Sequence, residues 1–351
     1  AEKVADSLLR QSWEDERGLH WNCLLVSGQE KALVRLYPCG MYLYDGIAGY
    51  TIFLHMLATY GASGAKRPPL CGTPDTHCPE WDVRTKKYDA ACDTLARQMF
   101  HYTDRGMEDV SNLQTGQSGL YNGEGSLVYA YLVLYRLHGK EVYLEYAGKH
   151  ARLLVELAEK DDSNDLLDGK AGAVYALCAL YQASGEEWVL RAAEKIGGLL
   201  IARAVHMEYG IGWENSEKST VLAGMAHGNA GILVALAKLY ELTKGQSLYE
   251  AMRRALRWEH EQFDEMTEDW KDYRKLAAVQ KAGHGQVSAW CHGAGGILLS
   301  RILISKVQWE ESERAMIAKD IERAESYLSK HMSSTACLSS LPVLFFWTNF
   351  H

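Results

Sequence analysis

One pattern recurs along this chain: a tight turn bracketed by Gly-x-x-Gly, followed by a helix-length run that is apolar on nearly every side. It stands at Gly46/Gly49, Gly169/Gly172, Gly228/Gly231 and Gly293/Gly296, with Gly123/Ser126 as a weaker copy. A helix that is apolar all round has to be buried. Between successive copies lies a second, more amphipathic helix, and the spacing varies from 46 to 77 residues, so the chain reads as an irregular array of helix pairs. The simplest packing is a ring, with apolar helices inside, amphipathic helices outside and the glycine turns gathered at one end. Glycine at such turns permits positive φ and close backbone approach. A single Gly-x-x-Gly is often only helix-packing punctuation; four copies in phase with helix pairs favour a repeat.

Helices are expected around Val4 to Leu9 and over 50–60, 88–102, 127–137, 141–159, 173–182, 186–205, 232–242, 249–264 and 310–330. A short apolar segment runs from Trp21 to Val26. The stretch 61–82, with Pro68, Pro69, Pro74, Pro79, Cys71 and Cys78, reads as an irregular surface insertion in one domain spanning 1–351. A net charge of -8 and a pI near 5.9 argue against nucleic acid or an anionic membrane as the main partner. No apolar run reaches 18 residues and no signal peptide stands out, so a soluble cytoplasmic protein with no membrane span is expected. Eight scattered cysteines in so large a chain read as reduced thiols, a few of them metal ligands.

If the turns share one mouth, so do their polar residues: Asp165, His227, Cys291 and His292. The next turn, after the 310–330 helix, carries Cys337. Sulfur donors from separate turns with a histidine are zinc chemistry, and a catalytic zinc keeps one position open. That position suits a thiol substrate, because coordination deprotonates it. His227 can then serve as general acid or base, with Asp165 orienting it or accepting a proton. Plainer readings compete. Cys39, Cys92 and Cys178 read as small buried hydrophobes, and His227 can simply cap a turn. Cys71, His77 and Cys78 form a candidate second metal group but read better as loop residues, since no matching ligand pair is visible.

Gly224-Met225-Ala226-His227-Gly228, Trp290-Cys291-His292-Gly293 and Asp165-x-x-x-Gly169 resemble, in the same order, the motifs of the lanthionine synthetase C-like family, zinc-dependent cyclases of lanthipeptide (lantibiotic) antibiotic biosynthesis. The resemblance covers nearly the whole chain. Trp21 through Phe53, and Phe263 to Arg274 with its Trp-x-Asp-x-Arg, look most like the C-terminal cyclase domain of class II (bifunctional) synthetases. It implies an all-α fold, an α/α toroid of two helix layers. It also implies Michael-type addition of peptide cysteine thiols to dehydroalanine or dehydrobutyrine, giving lanthionine or methyllanthionine thioether rings. Carried over, Cys291 matches a zinc ligand, His227 the acid/base histidine and Asp165 the catalytic aspartate. The implied partners are a dehydrated precursor peptide and a dehydratase domain or protein, since no dehydratase site is visible here.

One departure bears on the metal. The family's second zinc motif reads Cys-His-Gly; this chain has Cys337-Leu338-Ser339 and ends 14 residues after Cys337, so the last helices of the toroid look truncated. Leu338 cannot ligate, and His292 is the candidate substitute. The alternative function is therefore a degenerate or truncated domain that binds peptide without catalysis. A third reading, a glycoside-processing toroid, would use lip carboxylates such as Asp45, Glu124 and Asp168 but leaves the cysteines unexplained.

Overall fold

The computed structural model describes residues 1–27, 33–60, 79–106, 117–214, 220–273 and 289–331. Cys337, Leu338, Cys71, His77 and Cys78 lie outside the described residues. Helices dominate: α1 Glu2–Arg10, α2 Ile47–Tyr60, α3 Pro79–Gly106, α4 Glu124–His138, α5 Glu141–Lys160, α6 Lys170–Ser184, α7 Glu187–Ala202, α8 Asn229–Thr243, α9 Gln246–His260, α10 Ala294–Ile304 and α11 Glu311–His331. None of them is long and apolar enough to cross a membrane. Among the described residues four antiparallel hairpins interrupt them: β1 Trp13–Asp15 with β2 Gly18–His20, β3 Asn22–Ser27 with β4 Leu33–Pro38, β5 Val205–Met207 with β6 Gly210–Gly212, and β7 Phe263–Asp264 with β8 Asp269–Trp270.

The chain forms two compact units. The first comprises residues 1–115 and 126–150. In it α2 packs on α3, and β2 lies against α3, where Gln98 Oε1 accepts from Leu19 N–H at 3.1 Å. Helix α3 starts at Pro79, inside the stretch expected to be irregular. Cys92 is buried there, and burial pushes its thiol up to about 12. Cys39 is only half-buried, 3.6 Å from the Tyr50 hydroxyl.

The second unit comprises residues 116–125 and 151–351. Its helices fall into two rows. Helix α8 packs on both α6 and α10, while α7, α9 and α11 each pack on the helix before them. The first row is buried all round: in α6 every residue from Lys170 to Leu180, and in α8 every residue from Asn229 to Ala237. Amphipathic α9 buries one face through Leu248, Met252, Ala255, Leu256 and Glu259, which recur at helical spacing. Burying a large aliphatic side chain is worth about 1.5–3 kcal/mol, so this all-round burial is what holds the row in place.

The buried helices start without side-chain caps. Their first N–H groups instead find carbonyls seven residues back: Lys170 to Ser163 at 3.1 Å, Ala171 to Asn164 at 3.3 Å and Asn229 to Leu222 at 2.9 Å. The same register starts α2 (Ile47 to Gly40, 2.9 Å) and α4 (Glu124 to Gln117, 3.3 Å). Each of these Gly turns is thus a closed loop that satisfies the helix end it leads into.

One expected helix stops early. The 249–264 pattern ends at His260, and Phe263–Asp264 instead pairs with Asp269–Trp270. The buried Trp270 indole donates to Glu259 O at 3.0 Å, and Lys271 N–H to Gln262 O at 2.9 Å. These tertiary anchors override the helical pattern.

Candidate active site

Four lip turns of the second unit are joined edge to edge. The residue two places before each first glycine donates its N–H to the carbonyl at the same place in the next turn. Tyr121 donates to Leu167 at 3.1 Å, Leu167 to Ala226 at 3.1 Å and Ala226 to Cys291 at 3.2 Å. Close approach depends on missing side chains. A Cβ on Gly224, whose φ is +115°, would lie 2.7 Å from Cys291 O and 2.8 Å from His292 Cα. One on Gly231 would lie 2.8 Å from Leu166 Cβ.

The His227 turn is also held from behind. Glu259 accepts from Gly224 N–H at 3.0 Å and pairs with Arg301 at 2.9 Å; Arg301 pairs with Asp320 at 2.9 Å, and Asp320 with His260 at 2.7 Å. Arg301, Glu259 and Asp320 are fully buried. Burial by itself pushes the Asp320 carboxyl up, but Arg301 and His260 outweigh it and hold it below the usual value.

On this scaffold Asp165 and His227 meet, Oδ2 to Nδ1 at 2.8 Å. An ionised carboxylate only accepts, so Nδ1 carries the proton of that bond and Nε2 is the nitrogen left for chemistry. Asp165 Oδ1 accepts from Asp168 N–H at 2.8 Å, which fixes the carboxylate from its other side. His227 is therefore not a helix cap; Gly228 stands at that position and the caps are main-chain groups.

His227, Cys291 and His292 line one concavity with Leu222, Ala223, Lys271 and Asp272. Cys291 Sγ and His292 Nδ1 are 2.9 Å apart. Adjacent residues on such a turn usually point apart; here their donor atoms meet, on a turn closed by an Ala289–His292 main-chain bridge. A thiol and an imidazole are donors zinc takes, so this pair fits as part of a zinc site. The other group able to hold a cation among the described residues is Asp165, Asp168 and His227, with ligand atoms within 4.8 Å of one another. Its carboxylate oxygens are hard donors, less suited than a thiolate and an imidazole to zinc. Cys178 is fully buried with its thiol pushed up to about 12, which makes it inert as a nucleophile or ligand.

The structure thus brings together Asp165, His227, Cys291 and His292, while Cys337 falls outside the described residues. The sequence reading missed Asn122, Lys271 and Asp272, and took Asp168 only as a glycosidase-type carboxylate. Asp168 and Asn122 were findable: each stands immediately before its turn's first glycine, the place His227 occupies. Asp272 is the Asp of the Trp-x-Asp-x-Arg motif, which was read only as a resemblance and not as part of the site, and Lys271 gives no signal, since the β7–β8 hairpin delivers both.

The family model described as lanthionine synthetase C-like protein matches residues 82–337. Over 81 residues the chain is 31% identical to the lacticin 481/lactococcin biosynthesis protein LcnDR2 of Lactococcus lactis subsp. lactis; that covers 23% of this chain and 8% of that protein's length. Among solved structures, nisin cyclase superposes with a TM-score of 0.54 at 18% identity, over 84% of this chain and 70% of its own. The unsaturated glucuronyl hydrolase of Bacillus sp. GL1 superposes with a TM-score of 0.53 at 11% identity, over 93% and 82%. At such identities the structural likeness is one of fold, and chemistry has to come from the site. The fold class expected from the sequence, all-α and of α/α toroid type, is the one shared with nisin cyclase.

Proposed function

The chain belongs to the lanthionine synthetase C-like family, and from that premise we propose that it is a zinc-dependent peptide cyclase. Its reaction is Michael-type addition of cysteine thiols to dehydroalanine or dehydrobutyrine in a lanthipeptide precursor, closing lanthionine or methyllanthionine rings. The observation that carries the reading is that His227, bonded to Asp165, lies on the same concavity as Cys291 and His292. The resemblance of Trp21 through Phe53 and of Phe263 to Arg274 puts it nearest the class II cyclase domains, with dehydration assigned to another domain or protein.

A zinc ion held by Cys291 with His292 and Cys337 would supply the Lewis acidity that turns a thiol, only a few per cent ionised at neutral pH, into a thiolate. The chain's own residues handle the proton. As the S–Cβ bond forms, the C=C π pair moves toward the peptide carbonyl, and the α-carbon must be protonated. The proton that leaves the thiol is taken up at His227 Nε2 and given to the α-carbon, and Asp165 stabilises the imidazolium in between. The walls of the cleft, Leu222 and Ala223, limit water around the developing charge.

The addition leaves the peptide's mass unchanged, so the test counts thiols. Incubated with a dehydrated precursor peptide, the protein should remove alkylatable thiols at constant mass, and the His227→Gln variant should not. Equal thiol loss in both would overturn the assignment. A second reading, peptide binding without catalysis, rests on Leu338 standing where the family has a histidine. Precursor binding with no metal and no thiol loss would establish it.

A further inference from the structure

Two cysteines of the first unit take no part in the proposed chemistry. Strand β3 carries Cys23, and Cys39 follows the last residue of β4. The register pairs Asn22 with Pro38, and Cys39 N–H donates to Trp21 O at 2.9 Å, so the ladder runs on to set Cys39 opposite Trp21. Opposite residues share a face and side chains alternate along a strand, which makes Cys23, two places from Trp21, the diagonal neighbour of Cys39 on that face. The two thiols are in hydrogen-bonding contact. Behind them stand the buried Trp21 and the half-buried Tyr50 of α2, their ring centroids 4.7 Å apart. The Tyr50 hydroxyl lies 3.6 Å from Cys39 Sγ, and Cys23 Sγ donates to Asp45 O at 3.8 Å. Both cysteines are free and partly exposed, whereas Cys92 and Cys178 are buried.

We infer that Cys23 and Cys39 are a reversible redox site: the pair exchanges with small-molecule disulfides and closes to an intramolecular disulfide. The site is independent of the cyclase reading. Cys23 Sγ, as thiolate, attacks one sulfur of a small disulfide RSSR; that S–S bond breaks and RS⁻ leaves. Cys39 then loses its proton and attacks the Cys23 sulfur, and the second RS⁻ leaves. Two cysteine thiols are oxidised, one small disulfide is reduced to two thiols, and the two protons pass to the departing RS⁻ groups. Burial first, then the hydrogen bond with Cys23, pushes the Cys39 thiol up to about 12, while the Tyr50 hydroxyl pulls it down. Capping Cys23 removes its thiol from that balance and leaves Tyr50 in place. Cys39 is therefore the poorer first attacker and improves once Cys23 carries the mixed disulfide, which sets the order of the two steps. Diagonal neighbours have Cα atoms about 7–8 Å apart, and a disulfide needs them within about 7 Å. The end of β4 has to close in by about 1 Å. It has room to do so: a Cβ added at the next residue, Gly40, would meet nothing within 4 Å.

The test incubates the folded protein with oxidised glutathione, alkylates the remaining thiols in denaturant and maps the peptides by mass spectrometry. Cys23 and Cys39 should lose their alkylatable thiols together and appear as one linked pair of peptides, which a dithiol reductant separates again. The buried Cys92 and Cys178 should stay alkylatable. In Cys39→Ser the reaction should stop with a glutathionyl group on Cys23, and in Cys23→Ser the Cys39 thiol should stay alkylatable. Cys23 and Cys39 left unlinked in the unsubstituted chain, or either one linked to another cysteine, overturns the inference. A glutathionyl group on Cys39 in Cys23→Ser, with none on Cys23 in Cys39→Ser, overturns the order of attack. The linkage is read on the unsubstituted chain, so it needs no variant to fold. It needs neither zinc nor precursor peptide, so a protein that forms no thioether sinks the cyclase reading and leaves this one to be judged by its peptide map.

Discussion

Both oxygens of Asp165 are engaged before a substrate arrives, Oδ1 by Asp168 N–H and Oδ2 by the His227 ring. The residue gives the imidazole one tautomer and one orientation. Asp165→Asn keeps the size but can present an amide N–H to Nδ1, which favours the wrong tautomer. We expect kcat to fall by about two to four orders of magnitude, with metal content and precursor affinity unchanged, as read by thiol-counting kinetics and binding isotherms. Cys291 and His292 make a different residue-scale case, since their 2.9 Å separation puts both donors on one side of the turn. Cys291→Ala should lose most of the bound zinc by metal analysis. His292→Ala should lose it to a similar degree, and full zinc occupancy in that variant would remove His292 from the ligand set.

At the scale of elements, the lip is only as well placed as the contacts beneath it. Gly224 combines a positive φ with main-chain contact to the Cys291 turn, so an added methyl meets both strain and collision. Gly224→Ala should destabilise the protein by about 1–3 kcal/mol and reduce metal retention, by urea unfolding and metal analysis. The network joining α9, α10 and α11 is the second support. Asp320→Ala leaves the buried Arg301 Nε without its acceptor, with Glu259 as the remaining carboxylate partner, and should cost about 3 kcal/mol. Because the folded Asp320 carboxyl is held below its ordinary value, its contribution is complete above that value and fades as pH falls through it toward the folded one. The unfolding midpoint in urea should therefore drop as pH is lowered below about 4, and an acid-insensitive midpoint would show that the network carries no such linkage.

At the scale of the whole molecule, the buried rows of apolar helices hold the fold while the proposed metal serves the chemistry. Chelation should therefore abolish thiol loss and leave the far-UV circular dichroism spectrum almost unchanged; a helical signal that collapsed with the metal would reverse that division of labour. The helices were legible because burial writes itself into the sequence. Ala173 to Leu180 is apolar all round, whereas α9 keeps a polar face, and no cap chemistry was needed to place either. Asp165, His227, Cys291 and His292 were legible as a set because each sits on a turn of one repeated pattern. What the local pattern could not carry was set by distant partners: α9 stops at His260 because Trp270 binds back to Glu259, and that hairpin puts Lys271 and Asp272 beside His227. By itself, then, the sequence determined which segments are buried helices and which polar residues stand at their mouths, since periodicity and glycine spacing are local properties. Only the tertiary structure decided that Asp165 bonds to His227, that Cys291 and His292 bring their donor atoms together, and that Asn122 bonds to Asp168. Those are distances between turns, and main-chain hydrogen bonds from one turn to the next set them.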